Sequence, residues 1–379
     1  MKIHIKTLFG LEEILAEEVR KIGGQNVEVQ KRSVSCEGDM HFLYSANLNL
    51  RTALKVLVPV YHFTARTEQQ LYDQVMKHDW SRYLNNNQTF AIDNTVFSEF
   101  FRHSQYAALK TKDAIVDQFR NRTGKRPSVD IKAPDIQFDL YGFKDQFTIS
   151  LDSSGDTLNR RGYREPGHEA PLNEVLGAGL LYLAGWNKSI PLIDPMCGTG
   201  TILIEAAMMG QNIPPQINRH DFGFKNWSNF HPTVWNQVVS EGKAGIRKAQ
   251  LNITGGDIDG DAVLMVNKSL RKFKLSDSVT VTRQDVRDHR PKTPDGMIIC
   301  NPPYGERIGR ENTNDFYKAI GNVLKNNFAG FDAWLMSSNM EAFKHIKLRA
   351  SKKIVLFNGP LECKFQKYEM YRGSKEETK

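Results

Sequence analysis

The pattern that most limits the possible folds is an alternation of short apolar runs with segments of helical periodicity in the second half of the chain. Strands separated by helices form a parallel sheet that carries helices on both faces. The sequence therefore predicts a doubly wound α/β domain over residues 170–379, closed by an antiparallel hairpin at 354–357 and 361–371. The predicted parallel strands are 190–194, 253–258, 279–282, 296–300 and 333–336. A long insertion at 212–250 is expected to be partly ordered and packed by its aromatic residues.

Ligands of a doubly wound sheet bind outside the carboxyl ends of its strands. Gly198 and Gly200 follow the first predicted strand and let the backbone approach a ligand closely. Asp257 ends the second strand, where it can accept both hydroxyls of a ribose, and Asp285 with the Val286 amide can bind an adenine edge after the third. The first turn has neither G-x-G-x-x-G nor the lysine of a P-loop, so we expect a ligand without phosphates, namely S-adenosylmethionine.

The fourth predicted strand ends in Asn301-Pro302-Pro303-Tyr304-Gly305. Because each proline fixes its own φ and restricts the residue before it, this turn is stiff. It holds the Asn301 side chain and the Pro302 carbonyl as fixed acceptors, and the Tyr304 ring beside them as a flat wall. These groups suit a planar ring with an exocyclic amino group. An isolated turn of this kind is explained equally well by strand closure, but the glycine-rich turn a hundred residues earlier favours a binding site.

The N-terminal half predicts two small α/β units and a linker. Residues 1–62 fit a split β-α-β unit of ferredoxin-like type, with strands at 2–7 and 27–34. Residues 63–152 contain strands at 89–96, 136–141 and 146–151, and a helix at 104–122 with Ser104 as N-cap. Residues 153–169 form the linker.

A basic segment lies in the second of these units. Residues 102–126 hold seven Lys and Arg against two Asp, a net charge of +5, whereas residues 1–165 carry 23 basic and 21 acidic residues, or only +2. This concentration favours an RNA-docking stripe over its alternative, a solvated helix face. The linker cations around Tyr163 could contact RNA or hold the two halves of the protein together. The predicted RNA-binding residues are Lys110, Lys112, Arg120, Arg122, Lys125, Arg126, Arg160 and Arg161.

Composition excludes several other classes. The four cysteines form no C-x-x-C pair, which argues against a zinc site or a disulfide framework and for a reducing cytoplasm. The N-terminus is not a signal peptide, and the longest apolar stretch is too short to cross a bilayer. A net charge of +8 suits a polyanionic partner. We expect no metal and no membrane, and a monomer is favoured.

The motifs together resemble a known family. Asp194-Pro195-Met196-Cys197-Gly198-Thr199-Gly200, Gly256-Asp257-Ile258-Asp259 and the Asn301 turn are similar to class I amino-methyltransferases. Residues 112–117 and 124–127 resemble a THUMP RNA-binding domain, and 154–172 resembles the junction of bacterial enzymes that methylate the guanine 2-amino group in 23S rRNA. The resemblance covers essentially the whole chain and implies ferredoxin-like and THUMP units before a Rossmann-like methyltransferase domain with a seven-stranded sheet. Some members carry a second methyltransferase, and this chain is expected to be the single form.

The resemblance also implies roles for individual residues. Asn301, Pro302 and Tyr304 would act on the base. The implied cofactor-binding residues are Pro171, Leu172, Asp194, Pro195, Cys197, Gly198, Gly200, Thr201, Asp257, Ile258, Asp285, Val286 and Asn301. The alternatives are a tRNA guanine-N2 enzyme, which has the same layout, and a non-catalytic RNA-binding ribosome-assembly protein. A DNA adenine methyltransferase would normally carry a DNA-reading domain, sulfur transfer needs a P-loop, and zinc deamination needs H-x-E with P-C-x-x-C.

Overall fold

The computed structural model describes residues 1–101, 103–164, 172–305 and 310–372. Its chain divides into two compact units, one of residues 1–7, 16–158 and 219–240, and the other of 8–15, 159–218 and 241–379. The first unit contains an eight-stranded sheet in the order β2-β3-β1-β4-β8-β7-β5-β6. Its strands are β1 (Lys2–Thr7), β2 (Gln25–Gln30), β3 (Ser33–Glu37), β4 (Ala53–Thr64), β5 (Thr89–Phe97), β6 (Ser128–Val129), β7 (Ile136–Phe143) and β8 (Gln146–Asp152).

Four helices accompany these strands in the chain. They are α1 (Glu12–Lys21), α2 (Met40–Asn49), α3 (Glu68–Lys77) and α4 (Ser104–Thr123). Period-2 alternation decides which face of the sheet is covered. On β7, Ile136, Phe138 and Leu140 are fully buried, whereas Tyr141 and Phe143 on the opposite face are exposed.

Two predictions for this unit need correction. Residues 27–34 form not one strand but most of a hairpin, because the chain turns at Arg32, which has φ 59°. Ser104 is not the N-cap of α4, since His103 occupies that position and makes no side-chain capping bond. The insertion at 212–250 contains α7 (Pro232–Ala244). Its aromatic residues do pack as predicted, with the Phe224 ring 4.5 Å from that of Tyr44.

The second unit contains a seven-stranded sheet in the order β11-β10-β9-β12-β13-β15-β14. The first five strands are parallel, and β15 is antiparallel to both of its neighbours, which confirms the predicted doubly wound sheet with a terminal hairpin. Its strands are β9 (Leu192–Asp194), β10 (Ile253–Asp257), β11 (Val279–Arg283), β12 (Gly296–Cys300), β13 (Phe331–Ser337), β14 (Lys352–Asn358) and β15 (Leu361–Glu369).

Helices accompany these strands in the chain. They are α5 (Glu174–Ala184), α6 (Thr201–Gly210), α8 (Gly260–Lys272), α9 (Arg310–Asn327) and α10 (Met340–Lys344). Of these, α6, α8 and α9 connect consecutive parallel strands. The side chain of Asn173 accepts the amide hydrogens of Val175 and Leu176 and so caps α5. The strand order reverses between β9 and β12, and a ligand crevice is expected at such a switch point. Among the described helices, none is long and apolar enough to span a membrane.

Candidate active site

The turn between β9 and α6 depends on two glycines with left-handed backbone conformations, Gly198 at φ 51° and Gly200 at φ 77°. A Cβ on Gly200 would lie 2.7 Å from the Val266 side chain, so packing requires glycine there. A Cβ on Gly198 would meet nothing within 4 Å, so this position borders open space. The turn therefore leaves open space beside the backbone at Gly198, where the sequence predicted a ligand.

Asp257 joins this turn to the end of β10. Its Oδ2 accepts the Gly198 amide hydrogen at 2.7 Å, and its Oδ1 accepts that of Asp259 at 3.0 Å. A carboxylate has about four lone-pair sites, so two remain for ligand hydroxyls. The neighbouring Ile258 side chain is 62% exposed, which leaves an apolar surface beside the carboxylate. This arrangement suits the ribose of an adenosine ligand.

Asp285 lies at the end of β11 and is held by Arg287. The Arg287 amide and its Nε donate to Asp285 Oδ1 at 2.8 and 2.9 Å. These bonds hold the pKa of Asp285 below its usual value, so it is ionised at neutral pH. An adenine amino group would share this carboxylate with Arg287, a partner that the sequence did not indicate.

Asp194 lies beneath the turn, since it is only 2% exposed. Burial raises its pKa to about 7, although the Cys300 thiol and the Met196 amide donate to it. By accepting the Met196 amide hydrogen, the buried carboxylate stabilises the start of the glycine turn. Several other predicted cofactor residues are also buried and would meet a ligand mainly through their backbone: Leu172, Pro195, Cys197, Thr201 and Val286. Pro171 lies outside the described residues.

The Asn301 turn follows β12, next to β9 in the sheet. The Tyr304 hydroxyl donates to Asn301 Oδ1 at 2.6 Å, and Asn358 Nδ2 donates to the same hydroxyl at 3.4 Å. Burial raises the pKa of Tyr304, so the hydroxyl keeps its proton and remains a donor. The sequence predicted an open acceptor beside a flat ring, whereas the structure joins the two. An amide oxygen has two lone pairs, so Asn301 can still accept one more hydrogen.

The carbonyls of Pro303 and Tyr304 in this turn accept hydrogen bonds from α9 and from the segment that follows β13. Asn339 Nδ2 donates to the Tyr304 carbonyl at 2.8 Å, and the Tyr317 hydroxyl donates to that of Pro303 at 3.3 Å. Ser337 Oγ links the two, at 2.7 Å from the Tyr317 hydroxyl and 3.0 Å from the Asn339 amide. Within the described residues, no hydrogen bond reaches the Pro302 carbonyl.

Asn339, Tyr317 and Ser337 position this turn and were not predicted from the sequence. A signal was present, because Ser337-Ser338-Asn339 follows the fifth parallel strand and so belongs to the same sheet edge as the other four strand ends.

The cations predicted to bind RNA differ in their surroundings. Three of them are paired with acids of their own unit: Lys112 with Asp113 at 2.6 Å, Arg120 with Asp117 at 2.9 Å, and Arg122 with Asp79. Lys110 Nζ lies 5.6 Å from the centroid of the Tyr106 ring. Lys125, Arg126 and Arg160 are exposed.

The structure corrects the prediction that Arg161 binds RNA. Its side chain is fully buried and lies 3.4 Å from an equally buried Glu205. The Tyr163 hydroxyl donates to the same Glu205 carboxylate oxygen at 3.1 Å. A guanidinium enclosed in this way cannot reach a phosphate, so the RNA contact predicted for Arg161 is wrong in this structure. Its role is to neutralise a buried carboxylate in the second unit.

Comparison with known proteins follows the same domain pattern. Residues 161–367 match the RMKL-like methyltransferase domain, 65–152 the THUMP domain and 2–57 the RlmL ferredoxin-like domain. A Synechocystis sp. protein named as a candidate RNA methyltransferase is 38% identical over 364 residues, which are 96% of this chain and 95% of that protein. The ribosomal RNA large subunit methyltransferase K/L of Syntrophotalea carbinolica is 36% identical over 95% of this chain.

The match covers only 52% of that second relative, so this chain spans about half the length of the K/L protein. Among solved structures, SMU.472 complexed with SAH has 28% sequence identity and a TM-score of 0.87. The superposition covers 98% of this chain and 99% of that one.

Proposed function

Because the chain belongs to the RMKL-like methyltransferase family, we propose that it methylates the 2-amino group of a guanine in large-subunit (23S) ribosomal RNA. S-adenosylmethionine is the cofactor, as the family and the SAH complex of SMU.472 indicate. The observation that carries the proposal is the Asn301 turn, which offers two acceptors at the carboxyl edge of the sheet, beside the glycine turn.

The residues around the glycine turn fit the cofactor. The Asp257 carboxylate has lone pairs for the ribose hydroxyls, and Gly198 borders open space where a larger residue would intrude. Bound there, S-adenosylmethionine would supply the methyl group. The protein needs no covalent nucleophile for such a transfer, because the guanine nitrogen itself is the nucleophile.

The Asn301 turn would bind the target base. Asn301 Oδ1 and the Pro302 carbonyl would accept the two hydrogens of the amino group, which aims the nitrogen lone pair at the methyl. Tyr304 would stack on the base. Its hydroxyl must then either share the Asn301 Oδ1 acceptor with the amino group or break its hydrogen bond to Asn301. A base in a helix cannot reach such a turn, so the guanine must be unpaired or flipped out.

The THUMP unit would hold the RNA by its phosphates. Each phosphate contact contributes roughly −0.7 to −0.9 to the slope of log affinity against log salt. Lys112 and Arg120 already pair with acids, so a phosphate would have to displace those partners. Lys125 and Arg126 are exposed. Replacing Lys125 and Arg126 with Ala should therefore flatten the salt slope more than replacing Lys112 and Arg120.

The decisive test is mass spectrometry of nucleosides from 23S rRNA and tRNA of cells with and without the gene. Loss of N2-methylguanosine from 23S rRNA supports the proposal, its loss from tRNA alone supports a tRNA enzyme, and unchanged nucleosides support a non-catalytic assembly protein.

With purified protein, Asn301→Ala should lower turnover about a hundredfold, as for loss of one preorganised polar partner. Cofactor affinity should change much less. Wild-type rates in both Asn301→Ala and Tyr304→Ala would make the turn purely structural.

A further inference from the structure

Exposed aromatic side chains are concentrated in one part of the first unit. Six aromatic residues in the described chain are strongly exposed, and five of them lie between residues 97 and 143. Single exposed aromatics are common and need no explanation, but a group of them indicates a binding surface. The five are Phe97, Phe100, Tyr106, Tyr141 and Phe143.

Sheet geometry brings three of these rings together. Phe97 and Phe143 end neighbouring parallel strands and are paired in register, so their side chains lie on the same face, about 4.8 Å apart along the sheet. Tyr141 precedes Phe143 by two residues and shares that face. The three side chains are 63%, 51% and 42% exposed, in the order Phe97, Phe143 and Tyr141. They therefore form a row of rings on the uncovered face of the sheet.

Two cations border this row. Lys144 Nζ lies 5.7 Å from the centroid of Phe143, and the Arg66 guanidinium lies 5.7 Å from that of Phe100. Arg66 also pairs with Asp145 at 3.0 Å, and the Lys144 amide donates to the Phe97 carbonyl at 2.8 Å. We define the aromatic edge by its rings and these two cations: Phe97, Phe100, Tyr141, Phe143, Arg66 and Lys144.

We propose that the aromatic edge binds two or three unpaired bases of the RNA substrate by stacking. This rests on the proposed function and adds a second contact to it, separate from the basic stripe on α4. Aromatic side chains on a sheet face are a common means of holding single-stranded RNA. Polar Thr95 and Thr148 pair with Tyr141 across the sheet, so the rings do not form the continuous apolar patch that a protein partner would cover.

The charges around the aromatic edge predict that its contribution to RNA affinity depends on salt differently from that of the basic segment 102–126. Arg66 and Lys144 are balanced by Asp145 and the exposed Glu99. A surface with no net charge releases few counterions, so its contribution to affinity should be nearly independent of salt. Loss of the aromatic edge should lower affinity by the same factor at every salt concentration, whereas loss of stripe cations should change the slope.

The test measures binding of the full-length protein to a single-stranded oligoribonucleotide and to the matching duplex by fluorescence anisotropy across salt. Loss of stacking on one ring lowers affinity about fivefold to a hundredfold. Changing both Phe97 and Phe143 to Leu should therefore weaken single-strand binding at least tenfold, with an unchanged salt slope. Changing both to Trp should preserve binding, because Trp keeps a ring face. Ile131→Ala, at an 82% exposed position, serves as the control.

Thermal denaturation checks that each variant is folded, and calorimetry checks that cofactor binding is unchanged. If the Leu variant binds single-stranded RNA like wild type, the proposal is overturned and the edge becomes a candidate protein contact. Equal weakening on single strand and duplex would also contradict base stacking. The proposed function fails separately, since it predicts rRNA methylation by the wild-type protein whether or not the edge contributes.

Discussion

Replacing Asp257 tests the assignment of the cofactor site most directly. In the structure its two carboxylate oxygens accept the amide hydrogens of Gly198 and Asp259 at 2.7 and 3.0 Å. Its remaining lone pairs are the ones assigned to the ribose. Asp257→Asn keeps the shape of the side chain but turns one oxygen into an NH₂ donor, and Asp257→Ala removes both acceptors.

The expected loss follows from the bonds removed. A hydrogen bond to a charged group contributes about 1.5–3 kcal/mol. Asp257→Asn removes at least one such bond to the ligand, so affinity for S-adenosylhomocysteine should fall about tenfold to a hundredfold. Asp257→Ala should lose more, because the Gly198 turn also loses its anchor. Calorimetry at pH 7 measures both values, and circular dichroism checks that the fold survives.

Two controls separate a ribose contact from other effects. Asp261→Asn makes the same charge change at an exposed position on α8 and should leave affinity unchanged. A ligand without ribose hydroxyls should bind wild type more weakly, and Asp257→Ala should weaken its binding less than it weakens that of S-adenosylhomocysteine, because only the anchor of the Gly198 turn is then lost. If Asp257→Ala binds S-adenosylhomocysteine within threefold of wild type, the ribose assignment is refuted. If its loss is as large with the hydroxyl-free ligand, Asp257 acts only through the turn.

Three further predictions follow from the geometry. Burial raises the pKa of Asp194 from 3.8 to about 7, so its contribution to stability is full below about pH 4 and is lost as pH rises through 7. In urea denaturation, the stability of Asp194→Asn relative to wild type should therefore increase by up to about 4 kcal/mol over that range. A stability difference that does not change with pH would contradict this prediction. Asn339→Ala removes both the hydrogen bond to the Tyr304 carbonyl and the N-cap of α10, whereas Asn339→Asp removes only the first. Both variants should lower kcat with unchanged cofactor affinity, and only Asn339→Ala should also lose the roughly 0.5–2 kcal/mol of stability that the cap contributes. A normal kcat in both variants would exclude a positioning role for Asn339. Arg161→Ala should destabilise the protein by about 3–5 kcal/mol because it leaves Glu205 buried without its cation, and a stable variant with weakened RNA binding would restore the original prediction.

The sequence predicted the methyltransferase half well, because its central strands β9, β12 and β13 are buried apolar runs bounded by clear turn residues. The run 296–300 coincides with β12, and its end places Asn301 where a ligand is expected. The hairpin of β2 and β3 was missed because its turn has no glycine, asparagine or proline. Arg32 takes a positive φ there, which side chains of its type seldom adopt, so composition carried no signal.

Residues whose role depends on a distant partner could not be predicted in this way. Phe224 and Trp235 are visibly aromatic in the sequence, but Tyr44, which packs against both, lies about 180 residues earlier. The same holds for the link between Tyr304 and Asn358, which is formed by the terminal hairpin. A local pattern shows that such a side chain needs a partner, and only the fold shows which one it has.

Arg161 shows the same limit for charge. A cluster of arginines around an aromatic residue is typical of RNA contacts, and it is equally typical of a buried ion pair, because both need a guanidinium near an anion. The two cases differ in whether the anion is a phosphate from outside or a carboxylate of the chain, here Glu205, 44 residues further on. Since Arg161 is neutralised internally, its positive charge cannot attract RNA. The electrostatic part of RNA binding then falls to cations that remain at the surface, such as Lys125 and Arg126, and the uncharged part to side chains such as Phe97 and Phe143.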